Sequence, residues 1–334
     1  RAGKPILAMA LPMTVAACTV CTMTVVYFGA YTPQRAEEYI DKAIDKEGDV
    51  KIAVSEDDFF RIDISKDRDN YPMFWGLPCI RAFHSIVPAS IMEFYPEIGV
   101  TRDVLFSVRY YFDEVTPDNL EPEGIDLPGF SYYDTQNGFH IYKNDYALPM
   151  GFTFDTYVSR SQWETYSESD RCNLLLRALV LEDDAVEMYQ KDMQKLPDAV
   201  HQKSDEDLLA ECTERTKTAC DSFTYNSKGF HATISTDHEN LVFFSVPWEE
   251  GWSAEVNGEP VAIEKADIGF MAVPVAAGDS EITFTYHTPG LKAGALLSLG
   301  GLVLFAGYLT VAGIYNKRHP NPKTESICCV DYST

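Results

Sequence analysis

Two long apolar segments lie near the two ends of the chain and carry no formal charge: Pro5 to Tyr31, with 27 residues, and Ala293 to Tyr315, with 23 residues. As helices they would extend about 40 and 35 Å at ~1.5 Å per residue, which exceeds the ~30 Å hydrocarbon core of a bilayer. A signal peptide and a buried core helix are the alternatives, but the first segment is too long for a signal h-region. The pattern predicts two transmembrane helices, within residues 1–32 and 291–316.

The charged residues beside these segments predict their orientation. The flanking bases are Arg1 and Lys4 before the first segment, and Lys317, Arg318 and Lys323 after the second. Basic flanks are retained in the cytoplasm. We therefore expect both termini inside, a cytoplasmic tail at residues 317–334, and all of the chain between the spans on the far side of the membrane.

Between the spans, residues 33–218 mix helical and strand periodicities. Strand patterns occur at residues 49–54, 59–64, 104–112, 130–136 and 139–144, and the last two flank Asn137-Gly138, a favoured two-residue hairpin turn. Helical patterns occur at residues 35–47, 88–99, 167–181 and 185–196. Ser204 and Asp207 also form a capping-box start for a helix that runs to about Thr216. These patterns predict an extracytoplasmic mixed α/β region.

From about residue 219 the apolar positions alternate with period two. Strand patterns occur at residues 229–236, 241–248, 252–256, 259–263 and 280–288. Asn257-Gly258 marks a second hairpin. Short strands with glycine turns predict a β-sandwich over residues 219–290. The expected fold class is α+β: a mixed α/β region and then a β-sandwich, bracketed by two transmembrane α-helices.

Small residues recur at a spacing of four on both apolar segments. They are Ala10, Thr14, Cys18 and Thr22 on the first, and Gly290, Gly294, Ser298, Ala306 and Thr310 on the second. Small residues let helix backbones approach closely in lipid. Either the two spans pack on each other, or they pack on further helices of the same protein. We favour the second alternative and, because the chain does not begin with Met, expect a piece of a longer multi-pass protein.

The charge is distributed unevenly along the chain. Asp and Glu total 51 and Lys and Arg total 27, which gives a formal net charge of −24. This balance excludes a nucleic-acid binder that neutralises phosphates with a basic surface. Removing the five terminal bases and the two tail acids leaves 22 bases and 49 acids between the spans, a net charge of −27. That charge would keep an outer domain solvated.

Sequence motifs for catalysis and metal binding are missing. The chain has no G-x-S-x-G, H-E-x-x-H, P-loop or G-x-G-x-x-G motif, and its seven histidines show no metal-ligand spacing. Asp67, Asp69 and Asn70 suggest a calcium loop, but the Gly and distal Glu of an EF-hand are missing. We therefore expect no catalytic residue, no metal and no cofactor. The spacing of Cys212 and Cys220 leaves a disulfide between them open.

Two tryptophans are the remaining candidates for ligand binding. Trp248 and Trp252 bracket a polar turn in PWEEGWSAEVNG. An aromatic face beside a polar turn can stack on a sugar ring, but large aromatic side chains more often belong to a core. The sequence favours the core and leaves sugar stacking as the alternative.

Three segments occur in a distinctive order. They are FFRIDI with DNYPMFWGLPCIRAFHSIVPASIMEF, then YKNDYALPMGF, then VPWEEGWSAEVNGEPVAIEKADIGFMAVPVAAGDSEITFTYHTPG before a glycine-rich span. Together they resemble the YfhO family of bacterial membrane proteins. The resemblance covers about residues 33–315. The motif residues that it transfers are Asn144, Ala147, Leu148, Pro149, Gly151, Trp248, Gly251, Trp252, Asn257 and Gly258. Of these, Trp248, Trp252, Asn257 and Asn144 are the candidate ligand-binding residues, whereas the proline and glycines are expected to shape turns.

The resemblance also implies an activity. The family is similar to C-type glycosyltransferases, which implies a polyprenyl-phosphate sugar as donor and an envelope polymer such as teichoic acid as acceptor, at the bacterial cell membrane. The catalytic acid of that superfamily lies in the first outer loop, which has no counterpart here. The chain would then be a C-terminal portion that supplies an acceptor-binding or structural outer domain. The alternative is a stand-alone membrane-anchored module that binds glycans or acts as a scaffold without catalysis.

Overall fold

The computed structural model describes residues 3–29, 37, 40–44, 50–52, 58–66, 68–83, 85, 87–94, 100–197 and 204–319. The chain divides between Thr285 and Tyr286 into two compact units. The described part of the first unit contains three β-sheets and most of the helices, and the second contains one long apolar helix. The protein is therefore of mixed α and β class.

Most helices of the first unit are short. The described helices of this unit are α1 Gly3–Gly29, α2 Tyr71–Phe74, α3 Ala89–Phe94, α4 Val100–Leu105, α5 Arg160–Trp163, α6 Glu168–Leu174, α7 Asp183–Tyr189 and α8 Asp205–Lys217. The long helix of the second unit is α9 Leu291–Arg318. A π-helical turn spans Ile40–Ile44. The predicted capping box of α8 is confirmed, because the Asp207 amide donates to Ser204 Oγ (3.3 Å) and the Ser204 amide donates to Asp207 Oδ2 (3.0 Å).

A four-stranded sheet forms the upstream part of the first unit. Its strands are β1 Arg61–Ile64, β2 Val108–Glu114, β3 Phe130–Gln136 and β4 Phe139–Asn144, in the order β1-β2-β4-β3. Strands β1 and β2 are parallel and the other pairs are antiparallel. Asn137 and Gly138 have φ of 47° and 74°, so the predicted Asn-Gly hairpin is confirmed. One face of the sheet buries Ile62, Ile64 and Phe112 in an apolar cluster.

A seven-stranded sheet combines strands from both halves of the unit. Its strands are β5 Phe152–Thr153, β6 Thr156–Ser159, β7 Leu179–Leu181, β8 Gln194–Lys195, β11 Asn240–Pro247, β14 Glu264–Ala266 and β15 Phe270–Val275. Their order is β5-β11-β15-β14-β7-β6-β8. The sheet therefore includes strands from either side of residue 219.

A five-stranded antiparallel sheet contains the remaining strands. They are β9 Ser222–Asn226, β10 Gly229–Thr236, β12 Trp252–Val256, β13 Glu259–Val261 and β16 Gly278–Tyr286, in the order β13-β12-β16-β10-β9. The turn between β12 and β13 contains Asn257 and Gly258, with φ of 54° and 80°, and confirms the second predicted hairpin.

The five-stranded and seven-stranded sheets contribute to one apolar cluster. Alternate residues of β10 and β16, including Phe230 and Phe284, pack with Val242 and Phe244 of β11 and with Met271 of β15. The Phe230 and Phe284 rings stack with centroids 4.4 Å apart. This shared core explains the period-two pattern that the sequence shows after residue 219.

Three segments differ from the sequence-based predictions. The strand predicted at residues 104–112 begins only at Val108, because Val104 and Leu105 end α4. The helix predicted at 167–181 ends at Leu174, and Leu179–Leu181 forms β7, with all three residues buried inside the seven-stranded sheet. The helix predicted at 185–196 ends at Tyr189 and is followed by β8. A short apolar run fits a helix as well as a strand, and in the last two segments pairing within the seven-stranded sheet determines the strand conformation.

Some predicted segments lie wholly or partly outside the described residues. Of the strand predicted at 49–54, residues 50–52 are described and form no strand. The helix predicted at 35–47 is represented by Glu37 and the π-helical turn. The helix predicted at 88–99 is present as α3, and residues 95–99 lie outside the description. Asp67 of the calcium loop that the sequence suggests also lies outside the described residues.

One helix in the described ranges is long and apolar enough to cross a membrane. It covers the 25 residues Leu291–Tyr315 of α9. Its side chains are exposed, with Leu297 at 78%. Helix α1 spans 27 residues, and its described apolar stretch is the shorter Pro12–Phe28.

Candidate functional site

A cavity of about 320 Å³ adjoins the four-stranded sheet, and we call it the polar pocket. Its lining residues are Asp63, Arg81, Asp103, Tyr111, Asp113, Ile125 and Leu127. Ligand sites are typically concave, with a few placed polar groups among apolar ones. The polar pocket has this composition.

Strand alternation places three lining residues on one face of the sheet. Asp63 of β1 lies opposite Tyr111 of β2 in the parallel register, and Asp113 is two residues further along β2. Residues i and i+2 of a strand share a face. The opposite face carries Ile62 and Phe112, which are completely buried in the core. The floor of the polar pocket is therefore held by the packing of the sheet behind it.

The other walls come from three separate segments. Asp103 belongs to α4 and is 4% exposed. Arg81 follows Cys79, which forms an isolated parallel bridge with Ile62. Ile125 and Leu127 belong to the connection between β2 and β3. The polar pocket thus exists only after the chain has folded around the four-stranded sheet.

Arg81 and Asp63, both in the lining of the polar pocket, form an ion pair. Arg81 Nε donates to Asp63 Oδ1 at 2.7 Å, and the amide of Ile64 donates to the same oxygen at 2.9 Å. Asp63 is only 2% exposed, and a buried carboxylate needs such partners to stay charged. Burial lowers the pKa of Arg81, but the charge and hydrogen bond of Asp63 outweigh burial and raise this pKa overall.

Asp113 is held in place by two hydrogen bonds. Ser65 Oγ donates to Asp113 Oδ1 at 3.2 Å, and Asn119 Nδ2 donates to Asp113 Oδ2 at 2.9 Å. Each carboxylate oxygen can accept more than one hydrogen bond. Asp113 is therefore fixed in orientation and retains capacity for an added donor.

Tyr111 supplies a neutral hydroxyl beside the carboxylates. Burial raises the pKa of Tyr111, and the negative charges of Asp113 and Asp63 raise it further. The hydroxyl stays protonated at neutral pH and can both donate and accept hydrogen bonds. Three carboxylates and one guanidinium give the polar pocket a formal charge of −2. Across the described part of the chain, no cluster of three His, Cys, Asp or Glu residues fits a metal ion.

The two predicted tryptophans pack at the edge of the cluster shared by the two larger sheets. Both are half-buried. The Trp252 ring lies 5.6 Å from that of Phe230 and 6.1 Å from that of Phe284, centroid to centroid. The Trp248 amide donates to the carbonyl of Gly269 at 2.9 Å. Their packing gives both residues a core role, and their exposed parts leave direct sugar contact as a prediction.

The two predicted asparagines stabilise turns. Asn257 Oδ1 accepts the amide of Glu281 at 2.9 Å, and the Asn257 amide donates to the Glu281 carbonyl at 2.8 Å. Asn144 ends β4 and is 2% exposed, and its Oδ1 accepts the amide of Tyr146 at 2.9 Å. Among the residues that the structure covers, Asn144 Nδ2 finds no acceptor. A ligand role for either residue stays a prediction.

The structure does not bring the four predicted residues together. Asn144 belongs to the four-stranded sheet, whereas Trp252 and Asn257 stand at the two ends of β12 in the five-stranded sheet. None of the four lines the polar pocket. The alternation of Tyr111 and Asp113 was visible in the sequence, but the parallel pairing that adds Asp63 was not.

The cysteines that the structure describes are free thiols. Cys212 and Cys220 do not form a disulfide with each other. Burial raises the pKa of Cys79 and of Cys220 to about 12, so these thiols are unreactive at neutral pH. Cys220 also explains a motif glycine. Gly151 has φ of 83°, and a Cβ there would lie 2.6 Å from Cys220 Sγ.

Comparison with known proteins identifies a family. The family model described as bacterial membrane protein YfhO matches residues 6–220 and 199–298. The uncharacterized protein YfhO of Bacillus subtilis (strain 168) is 28% identical over 124 residues, which cover 37% of this chain and 13% of that relative. No solved structure matches. Because the two matched ranges together cover residues 6–298 without a gap, this chain belongs to the YfhO family of bacterial membrane proteins.

Proposed function

We propose that this chain is the C-terminal part of a YfhO-type membrane glycosyltransferase. Such an enzyme would transfer a sugar from a polyprenyl-phosphate donor to a cell-envelope polymer of the teichoic-acid type. The observation that carries the proposal is the family match, which extends through the folded unit and reaches the apolar helix α9. The lipid bilayer is the first partner that this family membership supports.

The proposed topology places both termini in the cytoplasm and the folded unit outside the cell. Helices α1 and α9 are the two proposed spans, supported by their apolar sequences and basic flanks. The proposed divisions are residues 1–32 and 291–316 for the spans, 33–218 and 219–290 for the outer regions, and 317–334 for the tail. The small residues on both helices support packing against further transmembrane helices of a longer multi-pass protein.

The proposed role of this part is to bind the acceptor or to support the transferase core. The polar pocket favours acceptor binding, because its side chains suit a polyhydroxylated ligand. Catalysis is assigned to parts of the longer protein that precede this chain. No catalytic residue, cofactor or nucleic-acid partner is proposed for the chain itself.

Reconstitution of the full-length protein tests the proposal. Proteoliposomes would receive a radiolabelled polyprenyl-phosphate sugar and a purified teichoic acid. We expect label to appear in the polymer, and to disappear when the segment that corresponds to this chain is deleted. Binding of the polymer without transfer from any such donor would support the stand-alone glycan-binding or scaffold module instead.

A further inference from the structure

We infer that the polar pocket binds one uncharged sugar unit of the acceptor polymer and excludes the phosphate groups of that polymer. This inference rests on the proposed function and adds the ligand class and the residues that select it. It follows from the charge, the hydrogen-bonding groups and the apolar wall of the cavity.

The charge of the polar pocket selects against phosphate. The lining contains three carboxylates, of Asp63, Asp103 and Asp113, and one guanidinium, of Arg81. The Nε of Arg81 already donates a hydrogen bond to Asp63. Two of these carboxylates are almost completely buried, where charges are screened less than at an open surface. A phosphate would meet this negative charge at short range, whereas a neutral ring would not.

The hydrogen-bonding groups of the polar pocket match sugar hydroxyls. Carboxylates are strong acceptors for O–H donors, and their bonds are about twice as strong as those between neutral groups. Ser65 and Asn119 fix the carboxylate of Asp113 before any ligand arrives, so a ligand need not order it. The neutral hydroxyl of Tyr111 adds a group that can donate to a ring or hydroxyl oxygen.

The remaining wall suits the C–H face of a pyranose. Ile125, Leu127 and Tyr111 line the cavity. Sugar rings present one face rich in C–H groups, which packs on apolar and aromatic side chains while the hydroxyls bind at the ring edge. One cavity therefore offers both kinds of contact that a sugar needs.

A metal ion is the competing occupant for a group of aspartates. The carboxylates lining the polar pocket do not approach one another as a metal cluster within the described ranges. Arg81 also supplies positive charge beside Asp63 through its hydrogen bond of 2.7 Å. A cation would have to displace that guanidinium, so we assign the cavity to a neutral ligand.

Ligand-observed NMR on the full-length protein in nanodiscs tests the inference. The probes are methyl β-D-glucopyranoside, methyl β-D-galactopyranoside, their 2-acetamido counterparts and sn-glycerol 3-phosphate. We expect saturation transfer to at least one neutral glycoside and none to glycerol phosphate at the same concentration. Transfer to no glycoside, or equal binding of glycerol phosphate, would overturn the inference.

Matched variants locate the binding. Asp103→Asn removes a negative charge and one acceptor oxygen, and Tyr111→Phe removes a hydroxyl, both with little change of volume. Each variant should weaken binding of the responding glycoside about tenfold or more. Asp145→Asn, on a carboxylate that is 63% exposed and outside the polar pocket, should leave affinity unchanged. Thermal melting of each variant shows whether the fold is intact. Equal affinity loss in Asp145→Asn would contradict the assignment.

Two further outcomes separate this inference from the proposed function. A rise in Tm with Ca²⁺ that Asp103→Asn abolishes would identify a cation site and overturn the inference, while sugar transfer by the full-length protein could still be intact. Conversely, glycoside binding that depends on Asp103 and Tyr111 without any transfer activity would support the polar pocket and refute the transferase.

Discussion

Arg61 of β1 donates hydrogen bonds to both the side chain and the backbone of Ser245 in β11. Nη1 reaches Ser245 Oγ at 3.0 Å and Nη2 reaches the Ser245 carbonyl at 3.1 Å, while Nη1 also reaches the Phe106 carbonyl at 3.0 Å. Burial lowers the pKa of Arg61 to about 10, which still leaves it charged at neutral pH. One side chain therefore joins the four-stranded sheet to the seven-stranded sheet.

The first prediction concerns this connection. Arg61→Lys should reduce the free energy of unfolding by about 2 kcal/mol, because a lysine cannot present the planar fork that binds these acceptors together. Chemical denaturation of the purified protein measures the loss. Arg160→Lys is the control, because lysine keeps the positive charge that Arg160 presents to Glu164 at 2.9 Å, Glu182 at 3.6 Å and Glu93 at 3.9 Å, and pairs with such solvent-accessible carboxylates contribute little. An equal loss in both variants would contradict the connecting role of Arg61.

The second prediction concerns pH. Burial raises the pKa of Asp267 from 3.8 to about 8, although the Val180 amide donates to its Oδ1 at 2.8 Å and lowers it in part. The folded protein therefore holds a proton that the unfolded chain releases. Stability should fall as pH rises from about 4 to about 8, by at most about 1.4 kcal/mol per pH unit, and then level off.

Asp267→Asn tests that dependence. Asparagine tolerates the φ of 43° at this position and keeps an oxygen for the Val180 amide, so the fold should persist. Between pH 5 and 8, the free energy of unfolding should fall less steeply with pH in this variant than in the wild type. Asp145→Asn should keep the wild-type slope, because the carboxylate of Asp145 is exposed. Urea titrations at a series of pH values provide the measurement. An unchanged slope in Asp267→Asn would refute a buried neutral acid.

The third prediction separates two roles of Trp252. Trp252→Ala should destabilise the fold by about 2–3 kcal/mol, less than a completely buried tryptophan, because it loses contact with Phe230 and Phe284. Trp252→Phe keeps aromatic packing and should melt close to the wild type. If Trp252→Phe preserves Tm but loses binding of a glycopolymer, direct sugar contact is supported. Preserved Tm and binding would leave only the core role.

The fourth prediction concerns Asn257. Asn257→Ala should cost about 1–2 kcal/mol, because alanine is strained at a φ of 54° and cannot accept the amide of Glu281. Asn257→Gly relieves the strain and loses only the hydrogen bond, so its loss should be smaller. Thermal melts of the two variants give the order. If alanine were as stable as glycine here, the turn geometry would not explain this asparagine.

Local chemistry explains which parts of the fold could be predicted from the sequence. Both hairpins were predictable, because Asn-Gly adopts the positive φ values that Asn137 and Asn257 show. The start of α8 was predictable, because Ser204 and Asp207 satisfy each other's amides. These features depend on neighbours in sequence alone.

Long-range pairing explains what could not be predicted. The apolar run that ends in Leu179–Leu181 fits a helix as well as a strand, and its strand form depends on pairing with Thr156–Ser159 and with Ala266. The polar pocket likewise needs β1 beside β2 in parallel register, which no local pattern indicates. In a chain with 51 acidic residues, the three aspartates of the pocket also had no distinctive spacing.

The composition of the seven-stranded sheet has a consequence during synthesis. Strand β5 pairs with β11, and β7 pairs with β14. Strands β5 and β7 therefore remain without these partners until the later strands have been synthesised. Until then their edges are open to other chains, and such non-local pairing is slow. The last strand of the shared core, β16, ends only a few residues before α9 begins. Completion of the fold and emergence of α9 are therefore nearly simultaneous, and a chain terminated before β16 would expose unpaired strands to aggregation.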